Sequence, residues 1–154
     1  GKTRLSHIWH MTTTKDDKPL IITDGALNVL PNVKTKMHIL RNVVNFSNRI
    51  GIERPKVAVL SATEEILDSI QSSIEAKKSA AIKGVKNIVA GNADVLLVPS
   101  VETGNALVKM MIYFMGACAA GVVIGGKVPV VITSRSDEAQ ARLASIAAAV
   151  VALD

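Results

Sequence analysis

Three clusters of polar residues directly follow predicted strands of this chain. The first cluster, residues 24–28, reads Asp-Gly-Ala-Leu-Asn, and the second runs over residues 99–105. The third cluster, residues 133–137, reads Thr-Ser-Arg-Ser-Asp. Because ligands of open α/β sheets collect at the carboxyl ends of the strands, we expect a binding site among these three clusters.

The third cluster combines a hydroxyl group and a guanidinium group at a predicted strand-to-helix junction. Backbone N–H groups are free at a helix N-terminus, and the helix dipole favours negative charge there. The Ser134 hydroxyl and the Arg135 guanidinium add charge-assisted hydrogen bonds that suit phosphate. The alternative interpretation is structural: Ser136 caps the helix, and Arg135 is an ordinary solvated charge.

The first two clusters also have structural explanations. Asp24 with Gly25 is a typical turn former, and Gly104 with Asn105 lies just inside a predicted helix, where a capping turn is expected. Lys109 follows Asn105 by one turn on an otherwise apolar helix. A lone lysine at such a position usually extends along the rim of the core into water.

The stretch from Gly121 to Lys127 matches most of a phosphate-binding loop, but two residues argue against one. Val128 stands where the loop needs a hydroxyl residue, and Pro129 opposes the helix that must follow. The apolar residues 122–124 between the glycines indicate a strand instead.

Metal and thiol chemistry are also not indicated. His7 and His10 lie three residues apart on a predicted strand, so they face opposite sides and predict no shared metal site. Cys118 is the one cysteine and lies among Ala and Gly residues, which indicates a small core residue. A single cysteine forms no disulfide within the chain and fits the reducing cytoplasm.

Apolar runs and periodicity predict alternating strands and helices. Near-continuous apolar strands predict an α/β sheet covered by helices on both faces, and the close spacing of the last two strands indicates that not every neighbour is parallel. In the first helix we expect a buried stripe that excludes Lys36. Strands are predicted over residues 4–11, 19–23, 56–60, 93–98, 120–124 and 129–133, and helices over 32–50, from 64 onward, over 102–117 and over 136–153.

Composition excludes several classes of protein. The chain has 154 residues, of which 49% are hydrophobic and 3% aromatic, and its net charge is +5. The mild basic excess fits an anionic ligand, but scattered Lys and Arg residues and few aromatics argue against nucleic acid. Glycines divide the uncharged stretch 110–126 into a helix end and a strand, so we expect no membrane span.

Together, the clusters and their neighbours resemble one enzyme family. Residues 91–99 continue to Gly104, Asn105 and Lys109, and Thr-Ser-Arg follows at 133–135. Leu-Ser-His at 5–7 and Ile-Thr-Asp-Gly-Ala-Leu-Asn at 22–28 precede them. In their order and spacing these motifs resemble the phosphate acetyl/butyryltransferase family over nearly the whole chain, and residues 132–135 are more similar to its butyryl branch.

The resemblance implies a fold and a division into domains. It implies a three-layer α/β domain like those of isocitrate and isopropylmalate dehydrogenases, one of two domains with the active site in the cleft between them. Residues 1–133 are expected to form the second, C-terminal domain, and residues 134–154 to return toward a first domain that is absent here. A family segment missing between residues 78 and 79 is expected to explain the long helical pattern over 61–84.

The resemblance also implies exchange of an acyl group between coenzyme A and inorganic phosphate, through a charged tetrahedral state that hydrogen-bond donors stabilise. It implies that Arg135 binds the phosphoryl group and that Ser134 hydrogen-bonds the acyl phosphate. Asp137 is the candidate for taking the thiol proton, because Ala141 stands where the acetyl branch has an aspartate. The residues expected to line the site are Asp24, Asn28, Pro99, Gly104, Asn105, Lys109 and Thr133.

The partners implied are an acyl-CoA, butyryl-CoA first, and inorganic phosphate, with no metal, other cofactor, nucleic acid or membrane. The apolar helix over 102–117 predicts a homodimer, because a lone domain does not bury such a helix. By itself this chain is expected to be inactive, since half of the cleft belongs to the first domain. The alternatives are a phosphate acetyltransferase and a non-catalytic module of the same fold.

Overall fold

The computed structural model describes residues 4–14, 18–62, 69, 71, 74 and 92–153, and within them five strands form one sheet flanked by helices. In chain order the elements are β1 (Ser6–Thr12), β2 (Leu20–Thr23), α1 (Val33–Arg49), β3 (Val57–Val59), β4 (Val95–Leu97), α2 (Val101–Met115), β5 (Cys118–Ile124) and α3 (Ala139–Val151). The strand order across the sheet is β3-β4-β2-β1-β5.

Strand β1 makes the sheet mixed. It pairs antiparallel with β2 on one side and with β5 on the other, whereas β2 and β3 each pair parallel with β4. The carboxyl ends of β2, β3, β4 and β5 therefore lie at one edge of the sheet, together with the amino end of β1. The first two polar clusters leave the sheet at this edge.

The strand expected over residues 129–133 is reduced to a single bridge. Val130 exchanges two backbone hydrogen bonds with Val123, at 2.8 and 2.9 Å. Pro129 has no N–H to donate, and residues 131–134 have no regular structure. The prediction that not every neighbouring strand is parallel is confirmed, but the antiparallel strand is β1.

Two apolar layers, one on each face of the sheet, form the core. On one face α1 and α3 cover Ile8 and Val122, and Phe46 of α1 is 2% exposed. On the other face α2 packs over Met11 and Ile22. The predicted α/β sheet with helices on both faces is confirmed, and each such buried side chain contributes about 1.5–3 kcal/mol.

Helix α1 has the ends that its sequence predicts. The Asn32 side chain accepts a hydrogen bond from the Thr35 N–H at 3.0 Å, and Gly51 follows the helix with φ of 91°. Lys36, however, is fully buried, so the expectation that it lies outside the buried stripe is wrong. It precedes Ile39 by three residues and therefore falls on the same face of the helix.

The second helix closely matches its prediction, whereas the last begins later than predicted. Helix α2 spans Val101–Met115, but α3 starts at Ala139 rather than at residue 136. The helix expected from residue 64 onward and the expected chain break between 78 and 79 lie outside the described residues. None of the helices in the described ranges is long and apolar enough to cross a membrane.

Candidate functional site

Residues 24–28 fold into a turn around a buried carboxylate, which we call the carboxylate turn. Asp24 follows β2 directly and is 1% exposed. Its Oδ1 accepts hydrogen bonds from the N–H groups of Ala26 at 3.2 Å and Leu27 at 2.9 Å, and the Asn28 amide donates to Oδ2 at 2.5 Å. Aspartate side chains form turns in this way, by accepting hydrogen bonds from the backbone N–H groups that follow them. Asp24 therefore forms a turn, which agrees with the structural explanation of this cluster.

The second cluster packs directly against the carboxylate turn. Ser100 caps α2 by accepting a hydrogen bond from the Thr103 N–H at 3.3 Å, and Gly104 lies in the first turn of the helix. A Cβ atom on Gly104 would lie 2.5 Å from the Gly25 Cα and 2.9 Å from a methyl carbon of Val98. The two glycines therefore allow a direct backbone contact, and together these segments form what we call the rigid corner.

The other predicted residues of the first two clusters surround the rigid corner. Asn28 also donates to the backbone oxygen of Leu5 at 3.0 Å, which ties the carboxylate turn to the entry of β1. Asn105 and Pro99 are partly buried, while Lys109, one turn further along α2, is exposed. The structure thus gathers these residues at one edge of the sheet, and the exposure of Lys109 fits a rim position.

The third cluster forms a separate, exposed turn. The Asp137 carboxylate accepts a hydrogen bond from the Ser134 N–H at 2.6 Å, and the Ser134 and Ser136 hydroxyl oxygens lie 3.1 Å apart. Arg135 and Thr133 are exposed. None of the hydrogen bonds found for this cluster among the described residues reaches the carboxylate turn.

Ser134 and Arg135 do not lie at a helix N-terminus, contrary to the prediction. The Ser134 N–H is already paired within its own turn, and α3 begins only after Glu138. Ser136 does not cap the helix either, since Glu138 holds that position without a side-chain cap bond. Local bonds from Ser and Asp side chains compete with helix formation, which explains the delayed start.

The chain leads away from the edge that carries the rigid corner before α3 begins, and α3 then runs back toward that edge. Helix α3 runs along β5, where the Ser145 Oγ accepts a hydrogen bond from the Gly121 N–H at 2.9 Å. Glu138 lies close enough to the amino end of β5 to act on the Cys118 thiol, whose pKa is raised by burial and, to a lesser degree, by this charge. The structure therefore brings the first two clusters together and leaves the third apart.

A buried histidine beside the carboxylate turn was not among the predicted site residues, because the sequence suggested His7 only as a possible metal ligand and as part of a family motif. Ile8 pairs with Thr23, which places His7 across from Asp24, and Thr23 Oγ1 donates to the His7 backbone oxygen at 2.9 Å. Burial lowers the pKa of His7 to about 4, although the Asp24 charge raises it. The imidazole is therefore neutral at pH 7, and the pairing of β1 with β2 is the signal that could have found it.

The two strand histidines face opposite sides of the sheet, as predicted. His7 contacts the Trp9 ring, with ring centroids 4.4 Å apart, whereas His10 and Cys118 line a cavity of about 280 Å³ between α1 and α3. Within the described part of the chain, no three His, Cys, Asp or Glu side chains gather in a way that could hold a metal ion. No predicted site residue lines this cavity, so the rigid corner lies apart from it.

Comparison with known proteins places this chain in a family. The family model described as "Phosphate acetyl/butaryl transferase" matches residues 1–83 and 72–150. A phosphate acetyltransferase of Rhizobium meliloti is 36% identical over 174 residues, covering 95% of this chain and 55% of the relative. A phosphate butyryltransferase of Clostridium acetobutylicum is 36% identical over 177 residues, covering 97% of this chain and 58% of the relative.

A solved structure is also similar to this chain. The branched-chain phosphotransacylase from Enterococcus faecalis V583 matches with a TM-score of 0.88 and 30% sequence identity, over 99% of this chain and 64% of that chain. This chain thus spans just over half the length of the curated relatives named above. Because the family model matches nearly all of its residues, the chain belongs to the phosphate acetyl/butyryltransferase family.

Proposed function

We propose that this chain is part of a phosphate acyltransferase that exchanges a short-chain acyl group between coenzyme A and inorganic phosphate. The observation that carries the proposal is the rigid corner at the carboxyl edge of the sheet, in a chain of this family. A phosphate oxygen attacks the carbonyl carbon of butyryl-CoA, and the carbon–sulfur bond then breaks. The leaving thiolate takes a proton, so the products are butyryl phosphate and coenzyme A.

The third cluster supplies the charged groups in this proposal. Arg135 binds the phosphoryl group, Ser134 hydrogen-bonds the reacting acyl phosphate, and Asp137 exchanges the thiol proton. The exposure of Ser134 and Arg135 supports these roles, because a ligand can reach both side chains. The proposed binding residues are Asp24, Asn28, Pro99, Gly104, Asn105, Lys109 and Thr133.

We further propose that residues 1–133 form the second of two domains similar to those of isocitrate and isopropylmalate dehydrogenases, and that residues 134–154 return to the first. The incomplete coverage of the relatives supports this division. So does helix α3, on which Leu143, Ile146 and Val150 are 68%, 53% and 61% exposed, because an apolar face of this size needs a cover. The cleft between the domains would join the third cluster to the rigid corner, and this chain alone is therefore proposed to be inactive.

A family segment missing between residues 78 and 79 remains part of the proposal. Two findings support it: the family model matches in two overlapping stretches, 1–83 and 72–150, and the alignment to the R. meliloti protein is 174 residues long, longer than the 154-residue chain. Cleavage of the protein after glutamate followed by mass spectrometry tests it. A peptide in which Lys78 and Ser79 are directly bonded contradicts the idea.

We propose a homodimer that uses helix α2, in the cytoplasm. Met110, Tyr113, Phe114 and Met115 are 48%, 69%, 87% and 49% exposed, and they form an apolar end of this helix. Light scattering on a sizing column is expected to show a dimer at micromolar concentration that Phe114→Asp dissociates. The matched control is Leu30→Asp, which changes another exposed apolar residue. Equal dissociation by both variants, or a monomeric wild-type protein, contradicts the proposal.

We propose two alternative functions. A phosphate acetyltransferase shares the chemistry, and its preference for acetyl-CoA over butyryl-CoA distinguishes it. A module without catalysis is favoured by Ala141, since it stands where the acetyl branch carries an aspartate. Such a module would tolerate substitution of Ser134 and Arg135 without loss of function.

The test is release of coenzyme A from butyryl-CoA and from acetyl-CoA, with and without phosphate, by the intact protein that carries this chain. We expect phosphate-dependent release that falls at least about a hundredfold in Arg135→Ala, because a charge-assisted contact to the phosphoryl group is lost. Arg41→Ala, an exposed arginine on α1, is the matched control and should keep full activity. No release from either thioester supports the module instead.

A further inference from the structure

Two ring nitrogens beside the carboxylate turn are buried without a hydrogen-bond partner. His7 is 3% exposed, and neither its Nδ1 nor the Nε1 of Trp9 has a partner in the part of the chain that the structure describes. The two rings contact each other, with centroids 4.4 Å apart. Buried polar groups in native proteins are nearly always paired, so two neighbouring unpaired nitrogens indicate a place for a hydrogen-bond acceptor.

Because Gly121 has no side chain, it leaves room for the two rings in this position. It lies across from Trp9 in the pairing of β1 with β5. A Cβ atom on Gly121 would lie 3.1 Å from Cε1 and Nε2 of His7 and 2.9 Å from Cζ3 of Trp9. Any larger residue would displace both rings, and Trp9 is only partly buried, so a small rotation of its ring is expected to open this place.

The electrostatics beside the rings favour an uncharged acceptor. The Asp24 carboxylate acts on His7, so it would repel an anionic phosphate oxygen at the same place. The imidazole is neutral at pH 7, because burial lowers the pKa of His7, and it therefore offers a dipole rather than a charge. A carbonyl oxygen suits these conditions, since it carries no formal charge in the thioester and accepts two hydrogen bonds.

We propose that His7 Nδ1 and Trp9 Nε1 form a subsite for the carbonyl oxygen of an acyl-CoA thioester. The proposal rests on the proposed function, and it deepens it by placing the reacting carbonyl beside the carboxylate turn. The phosphoryl group is left to the third cluster. In this arrangement His7 donates from Nδ1, and Nε2, on the side of Gly121, is the unprotonated nitrogen.

The test uses the indole N–H signal of Trp9, the one tryptophan of this chain, in the NMR spectrum of the intact protein. The signal is assigned by its loss in Trp9→Phe. Two unreactive ligands are compared: a thioether of coenzyme A that carries a ketone, and the alkyl thioether of the same length. We expect the ketone to shift the indole signal and the alkyl thioether to leave it unchanged. His7→Phe should weaken ketone binding about three- to tenfold without affecting the alkyl thioether.

Each other outcome is informative. Binding of both thioethers without an indole shift overturns the subsite and leaves the proposed function standing. An equal shift with both also overturns it, because the ring then responds to the coenzyme A portion and not to the carbonyl group. If neither binds and no phosphate-dependent release is seen, the proposed function fails and the subsite fails with it. Gly121→Ala adds a variant that keeps both nitrogens, and it should lose the preference for the ketone while remaining folded by thermal unfolding.

Discussion

The rigid corner and the third cluster carry similar residues but are built in opposite ways. In the corner, Asp24 is 1% exposed, and the backbones of Gly25 and Gly104, far apart in sequence, are in contact. In the third cluster, Ser134 and Arg135 are exposed, and the hydrogen bonds join neighbours in sequence. Long-range contacts give the corner its shape, so substitutions there should act through stability. Substitutions in the third cluster should act through activity alone.

The largest effect is expected at the glycine contact of the corner. In Gly104→Ala the new methyl group meets the Gly25 Cα at 2.5 Å and a methyl carbon of Val98 at 2.9 Å, and the Gly25 backbone leaves it no room. We expect the free energy of unfolding to fall by about 3 kcal/mol, measured by urea denaturation. The control is Gly126→Ala, whose new methyl group meets the flexible Leu5 side chain at 3.2 Å and the Val128 backbone oxygen at an ordinary contact distance of 3.5 Å, and which should change stability little. Equal losses would mean that the corner is not rigid.

The next effect concerns the carboxylate at the centre of the turn. In Asp24→Ala the N–H groups of Ala26 and Leu27 lose the carboxylate oxygen that accepts their hydrogen bonds. Asp24 itself is buried, so water does not readily replace this oxygen. We expect a loss of about 2 kcal/mol in the free energy of unfolding, by the same denaturation experiment. Asp137→Ala is the matched control, because its carboxylate accepts from a single N–H in an exposed turn. A larger loss for Asp137→Ala than for Asp24→Ala would reverse the comparison.

The corner could be predicted in part because its residues carry local signals. Asp24 before Gly25 is a turn signal, and Ser100 before α2 is a cap signal, so both clusters could be placed at strand ends. What the sequence did not reveal is that Gly25 and Gly104 touch. Their contact depends on the parallel pairing of β2 with β4, and no local pattern encodes that pairing.

The other incorrect predictions depend on contacts between residues far apart in sequence, on a charged residue in a buried stripe, or on local hydrogen bonds that compete with helix formation. The position of β1 between β2 and β5 was missed because its antiparallel pairing with both strands depends on the whole sheet. The helix prediction was based on hydropathy, which does not expect a charged residue on a buried stripe. Lys36 was therefore predicted outside the stripe, although it is buried. The start of α3 was set too early because Ser134 and Asp137 pair with each other in a turn before the helix.

A smaller effect is expected from pH at the edge of the corner. Burial lowers the pKa of His7 to about 4, against about 6.5 in an unfolded chain, so the unfolded state binds the extra proton first as pH falls. Stability should therefore decrease on acidification from pH about 7.5 to about 5.5, with about 1 kcal/mol of the loss due to His7. His7→Gln should lack this part of the pH dependence in thermal unfolding. Identical slopes for the two proteins would show that His7 is exposed or already paired.

The smallest effect on stability is expected at Arg135, and it is the one that separates the two regions most clearly. Its side chain is exposed, and surface charges of this kind contribute little to folding, so Arg135→Ala should leave the thermal midpoint unchanged. The same variant is expected to remove most of the phosphate-dependent activity. A residue that is important for the reaction but not for the fold must owe its role to a ligand. A clear drop in the midpoint of Arg135→Ala would instead make the third cluster a structural turn and leave the phosphoryl group to other cations.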